Sequence, residues 1–440
     1  MGVGHMVDKA IVNGKVYLDG TMVDTNVYIQ EDKIYAISRE HYPARETIDA
    51  SGLFVFPGLI DPHVHFDLDL GFIRSADNFE KGSMIAALGG VTTVIDFLEP
   101  VDNETDLEKS YRKRVFEAED SRIDYKFHAC IKNPRCDLES FVLKMLSLGM
   151  NSLKCFTTYS ESGRMTKDED IIELLKLSEK YKFLLLVHAE DDKLIDLSPS
   201  LTYRDLSTKS RPSAAEINKA MQLAGYVSRY GGYLYMVHVS SGETIEKLKE
   251  AHFDILNKRF FIESCPQYFL FDNSALERDD GYLYTCAPPF RSKLENVYLR
   301  ENIDFVHTIG TDHCPFRRDE KSFEYLYEIP LGIGSIEHSF DVMYDLFGLK
   351  VIDKMAKNVA VLHRLENRKG RLKVGLDADL FLYKPGASLI EDDHSDGGYS
   401  IYIGLRKKGT VVSTMVRGNF VVRDRVFESG FGSLLKAGEI

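Results

Sequence analysis

The sequence predicts an α/β protein: a TIM (β/α)8 barrel that carries a small β-sandwich domain built from both termini. Three observations predict it. Eight short apolar runs alternate with amphipathic segments through the middle of the chain, the texture of parallel strands joined by helices. Histidines, a lysine and an aspartate stand at the ends of several of these runs, where a parallel barrel gathers its chemistry. Both ends of the chain read instead as short strands with tight turns.

Residues 1–52 form the first part of the sandwich, with turns at Asn13-Gly14, Asp19-Gly20 and Glu31-Asp32 and no helical periodicity. Residues 53–369 form the barrel. Its eight strand candidates are 53–60, 91–97, 125–131, 152–156, 183–188, 233–238, 260–265 and 305–311. Between them, one helix opens on the capping-box pattern Thr166-Lys167-Asp168-Glu169 and continues with Ile171, Leu174, Leu175 and Leu177 at helical spacing. Another opens at Ser240-Ser241-Gly242-Glu243. Residues 370–440 return to β texture at 379–383, 410–416 and 420–422, completing the sandwich and leaving a tail. The polar stretch 391–398 reads as a loop with a solvated His394, and Arg406-Lys407-Lys408 as a solvated turn.

At 440 residues the chain holds one large barrel, which needs about 250, plus the smaller domain. Hydrophobic residues make up 44% and charged residues 28%, an ordinary soluble composition without a run of about 20 apolar residues to span a membrane. The start Met1-Gly2-Val3-Gly4-His5-Met6 lacks the basic and apolar segments of a secretory signal, and His5 is left out of the site. A net charge of −13, from 68 acidic against 55 basic residues, argues against a nucleic-acid partner. Six scattered cysteines without a close pair point to reduced thiols and a cytoplasmic compartment.

The chemistry begins at His63-Val64-His65. Side chains two apart on a strand share a face, so both imidazoles can reach one cation. Lys154, His188, His238 and Asp312 follow at the ends of strands four, five, six and eight. Taken singly, each has a plainer reading: a snorkelling lysine, a hydrogen-bonded core histidine, a helix-capping aspartate. Their joint order on strands one, four, five, six and eight argues against coincidence. Two zinc ions, with His63 and His65 on one and His188 and His238 on the other, would activate water for attack on an amide. Two close cations need an anion between them, and Lys154 supplies one if its neutral amine has reacted with carbon dioxide to give a carbamate. Asp312 can bind a metal through one oxygen and shuttle a proton with the other, His313 sits outside the metal shell, and the Tyr159 hydroxyl can donate to the tetrahedral oxyanion, unless Tyr159 is an ordinary packed tyrosine.

These residues lie in long ordered motifs: Pro57-Gly-Leu-Ile-Asp61-Pro-His63-Val-His65, Ser152-Leu-Lys154-Cys-Phe156-Thr-Thr-Tyr159, Val187-His188-Ala-Glu190, Arg211-Pro-Ser-Ala-Ala-Glu216, Val237-His238-Val-Ser-Ser241, Ser264-Cys-Pro266-Gln-Tyr268 and Gly310-Thr-Asp312-His-Cys-Pro-Phe316. Over nearly its whole length the chain resembles the amidohydrolase superfamily, and within it the dihydropyrimidinase and hydantoinase group of cyclic amidases. The resemblance implies a distorted barrel with a sandwich, two zinc ions bridged by carboxylated Lys154, opening of a small cyclic amide by a metal-bridging hydroxide, and a homotetramer. It also implies substrate contacts at Tyr159, Ala287 and Leu331, although Ala287 stands for the usual serine and Leu331 for the usual asparagine. Dihydroorotases carry an arginine where this chain has Asp67, so Asp67 is expected beside the substrate, disfavouring dihydroorotate against dihydrouracil or a hydantoin. Thr157, Thr158, Ser160 and Arg164 make the loop after strand four polar, with Arg164 read as solvated rather than as the partner of a substrate carboxylate. The competing readings are a dihydroorotase or allantoinase on the same metal site, and a metal-free interaction protein of the same fold, against which the complete ligand set argues.

Overall fold

In the computed structural model, which describes residues 6–438, eight parallel strands follow one another around the barrel in chain order. His5 lies outside the described residues. The strands are Leu59–Val64, Val91–Phe97, Asp124–Cys130, Ser152–Phe156, Leu184–His188, Leu234–Met236, Phe260–Ser264 and Thr308–Ile309. The last and first strands meet only at the C-terminal rim, through a bridge between Val64 and His313 in which the His65 N–H donates to the His313 carbonyl at 2.9 Å. The barrel is therefore nearly closed rather than laddered all round.

Strands six and eight are shorter than the apolar runs that encode them. His238 and Asp312 take positive φ values of 42° and 52°, which no strand accommodates, and the chain turns there to bring both side chains into the barrel mouth. The run at 53–60 divides instead of forming one strand. Phe54–Pro57 joins the sandwich, pairing with Leu380–Leu389 and Lys15–Leu18, and only Leu59–Val64 enters the barrel. Gly58 makes the switch possible: a Cβ there would stand 2.3 Å from the Thr92 hydroxyl oxygen, so the two layers approach through a residue without a side chain.

The sandwich packs a four-stranded sheet, from 7–49, on a seven-stranded sheet to which both chain ends contribute. Ile11, Val27 and Ile29 from the first meet Val55, Leu380 and Met415 from the second in one core. The expected turns are present, with positive φ at Asn13, Asp19 and Glu31. Arg406, Lys407 and Lys408 open the strand Arg406–Val416 rather than a turn, and Lys408 donates to the Asp345 carbonyl. His394 is tied to Glu337 at 2.9 Å, although its ring remains partly exposed.

Beyond the sandwich the chain returns to the N-terminal end of the barrel. The Leu435 N–H donates to the Tyr125 carbonyl at 2.8 Å, and the Leu435 side chain is buried with Ile60, Ile95 and Leu365. The helix Gly242–His252 is capped by Ser241, as its sequence predicts. The helix Asp168–Tyr181 is not capped by Thr166: that residue is buried, and its N–H is bound to the Phe156 carbonyl at 2.8 Å. Asp168, Glu169 and Asp170 instead place negative charge in its first turn, against the helix dipole. All six cysteines are free. No helix among the described residues is long and apolar enough to cross a membrane.

Candidate active site

The strand ends surround a cavity of about 310 Å³ at the C-terminal mouth of the barrel, lined by His63, His65, Lys154, His188, His238 and Asp312. Strand alternation points His63 and His65 the same way, and their Nε2 atoms lie 3.2 and 3.1 Å from the same Asp312 oxygen, Oδ1. On the other side His188 Nδ1 and His238 Nε2 face each other at 3.0 Å. One carboxylate orients a ring in each group. Glu263 holds His63 Nδ1 at 2.7 Å, and Glu190 holds His188 Nε2 at 2.7 Å.

The charges follow from this packing. Burial works against a charged His63, but Glu263 and Asp312 outweigh it and push the ring up to about 9. Burial likewise opposes ionised Asp312, which His63 and His65 nevertheless hold well below the ordinary carboxylate range. His238 is driven well below the usual imidazole value by burial and by its neighbours His188 and Lys154. Burial also lowers the Lys154 ammonium, against the pull of Asp312. Its Nζ lies 5.2 Å from the centre of the Phe97 ring and 5.7 Å from that of Phe156; such ring faces attract an ammonium, so it is burial that favours the neutral amine.

This donor set fits divalent metal. His63 Nε2 is buried without a well-aligned hydrogen bond, and nitrogen or oxygen atoms of His63, His238 and Asp312 all lie within 4.8 Å of one another. Imidazoles whose far nitrogen is held by a carboxylate are the arrangement that metal-binding histidines adopt. His313 takes no part: its Nε2 is bound to Asp77 at 2.9 Å and its Nδ1 accepts from the Ser335 N–H at 3.1 Å.

Tyr159, Ala287 and Leu331 line the same cavity. Tyr159 sits in the left-handed region at φ 70°, its ring 5.1 Å from that of His188 and covered by the Arg211 guanidinium at 5.0 Å. Burial pushes its hydroxyl up to about 12, so it remains a proton donor at neutral pH. Asp67 is not brought to the cavity. It pairs with Arg74 at 3.1 Å and lines a neighbouring surface hollow, because at φ 49° the chain turns away from the mouth two residues after His65.

Several supporting residues escape a reading based on strand ends. Glu263 binds His63, the Tyr235 hydroxyl at 2.6 Å and the His238 N–H at 3.0 Å, so it ties strands one, six and seven together. Asp61 accepts from the His63 and Thr311 N–H groups, each at 3.1 Å, and from the Thr311 hydroxyl, which fastens strand one to the segment that bears Asp312. Glu190 joins His188 to Arg211 at 2.5 Å; burial opposes its charge, yet Arg211 and His188 lower it to about 2. The available signal was an acidic residue inside an apolar run, as in Phe260-Phe261-Ile262-Glu263.

The chain is 32% identical to the D-hydantoinase of Geobacillus stearothermophilus over 97% of its length and 96% of the relative's. Identity to a D-phenylhydantoinase of Escherichia coli is 28%, over 89% of each chain. The structure superposes on that of a D-hydantoinase (dihydropyrimidinase) from Thermus sp. with a TM-score of 0.91 at 29% identity, covering 98% of this chain and 99% of the other. The profile of the amidohydrolase family matches residues 54–421, which takes in the barrel, its mouth and most of the second sandwich sheet. A parallel barrel whose strand ends gather histidines, lysine and aspartate, joined to that match, makes the chain an enzyme of the amidohydrolase family.

Proposed function

We propose that this enzyme opens the ring of a dihydropyrimidine or a hydantoin by hydrolysing its cyclic amide bond, with two divalent ions, zinc by donor type, at the barrel mouth. One observation carries the reading: two pairs of imidazole nitrogens converge beside Asp312 and a buried lysine, and a carboxylate braces one ring of each pair. His63, His65 and Asp312 would hold one ion and His188 and His238 the other. Lys154, as a carbamate, would offer one oxygen to each. Its amine forms the N–C bond to carbon dioxide and releases a proton, which requires the neutral form that its burial favours. Bound there, the ions would lower the pKa of water to about 7 and polarise the amide carbonyl.

The remaining steps belong to the protein. Asp312 takes a proton from the attacking water and returns it to the departing ring nitrogen. Tyr159 donates its hydroxyl proton in a hydrogen bond to the carbonyl oxygen as that oxygen becomes anionic, held in place by its backbone and by Arg211. Main-chain groups near Ala287 and Leu331 meet the neutral amide edges of the ring. Phe97, stacked on His65 at 4.8 Å, helps to keep bulk water from the reacting atoms.

Metal-replete protein is expected to open dihydrouracil or hydantoin to the corresponding N-carbamoyl acid and to carry two ions per chain. No ring opening with either substrate would overturn the proposal, and one tightly held ion in fully active protein would overturn its two-metal form. Tyr159→Phe is expected to keep its metal and to lose about a hundredfold in kcat, the scale of removing one oxyanion donor. Wild-type turnover in that variant would return Tyr159 to a packing role.

A further inference from the structure

Arg164 reads from sequence as a solvated loop residue, but the structure lines the catalytic cavity with it. It is half-buried, on the same loop as Tyr159, and among the described residues its guanidinium makes no hydrogen bond and no ion pair. The acidic residues of the cavity wall already have cations. Asp69 is bound by Arg74 at 2.8 Å, Glu99 by Lys113, and Asp312 lies against His63 and His65. The other arginines near the mouth are also engaged. Arg211 binds Glu190, and Arg291 donates to the Ser240 hydroxyl at 2.9 Å and the Arg211 carbonyl at 2.5 Å. Arg164 is left as the guanidinium that faces the cavity with its donors unspent.

Its position is fixed by the loop. The Ser160 and Thr158 hydroxyls donate to the Asp192 carboxylate at 2.5 and 3.1 Å, the Arg164 N–H donates to the Tyr159 carbonyl at 3.1 Å, and Thr166 is fastened to Phe156. The cavity wall also carries apolar side chains, among them Leu70, Phe156 and Leu331. A guanidinium held beside apolar surface recognises a carboxylate through paired charge-assisted hydrogen bonds, and offers a neutral arm much less.

We infer that Arg164 selects cyclic amides whose ring bears a carboxylate arm, holding that arm while Tyr159 and Asp312 work on the ring. The inference rests on the ring-opening reading above and adds the class of substituent. The test compares kcat/KM for hydantoin, a 5-carboxymethyl or 5-carboxyethyl hydantoin, and the matching primary amide, in wild type, Arg164→Gln and Arg164→Lys, each checked for metal content and thermal unfolding. Wild type is expected to prefer the acid over its amide by at least tenfold, mainly through KM, and to lose part of that preference as salt is raised. The ratio should fall to near one in Arg164→Gln and recover in part in Arg164→Lys. Dihydroorotate belongs in the panel. A preference for it over dihydrouracil that also collapses in Arg164→Gln would support the role and place the carboxylate directly on the ring. An acid-to-amide ratio near one in wild type, or a large ratio that survives in Arg164→Gln, overturns the inference. Either can occur while hydantoin itself is opened, whereas failure with every ring would count against the ring-opening reading instead.

Discussion

Asp312→Asn is expected to lower kcat by about ten-thousandfold, the upper end of what a positioned acid–base group contributes. The amide is nearly isosteric, so the cavity should keep its shape, but it cannot accept a proton from water and pass it to nitrogen. It also leaves the two Nε2 atoms of His63 and His65, now within 3.2 Å of one carboxylate oxygen, without their anion. Metal analysis separates the two losses. A variant that keeps its ions yet is inactive locates the defect in proton transfer, and one that loses an ion shows that Asp312 is needed as a ligand. Turnover within tenfold of wild type would remove Asp312 from both roles.

Lys154→Ala should have an effect of similar size by a different route. Without the side chain there is no anion to sit between the two groups of histidines, and the variant is expected to lose one or both ions together with nearly all activity. Because the missing element is a carboxylate rather than the polypeptide, a small carboxylic acid such as acetate or propionate should restore part of the metal content and part of the turnover. The cavity left between Phe97 and Phe156 gives such a molecule a place to enter. Full activity without the acid would dismiss the bridging role.

Much of the fold was legible because strands buried on both faces must be apolar along their whole length, which makes eight such runs conspicuous. The residues gathered at the barrel mouth were legible for a related reason: a polar side chain at the end of an apolar strand is costly unless it has a partner there. Other features were hidden because they depend on distant parts of the chain. Nothing local to 53–60 reveals that its first half pairs with a strand more than three hundred residues away. The positive φ of Asp67, which carries that side chain to Arg74, arises from the loop as a whole, so counting two residues on from His65 gives the wrong surroundings. Glu263 acts through hydrogen bonds to neighbouring strands and Glu190 through one to the loop residue Arg211, and a linear reading cannot assign those partners. That Arg164 lines the cavity was hidden in the same way, since whether a loop arginine borders a cavity depends on how the loop is tied down.

The strand Phe54–Pro57 also bears on the order in which the molecule can be built. Its neighbours in the sheet are Lys15–Leu18, close by in the chain, and Leu380–Leu389, on the far side of the entire barrel. During synthesis the early strands therefore emerge long before the edge they require exists, while the barrel segments appear in the order in which they pair. Until the later strands arrive, Phe56 has no Phe381 against which to pack, although their rings finish 5.3 Å apart. An apolar edge stays open throughout that interval, while the barrel, whose segments pair in the order in which they appear, has a head start in folding.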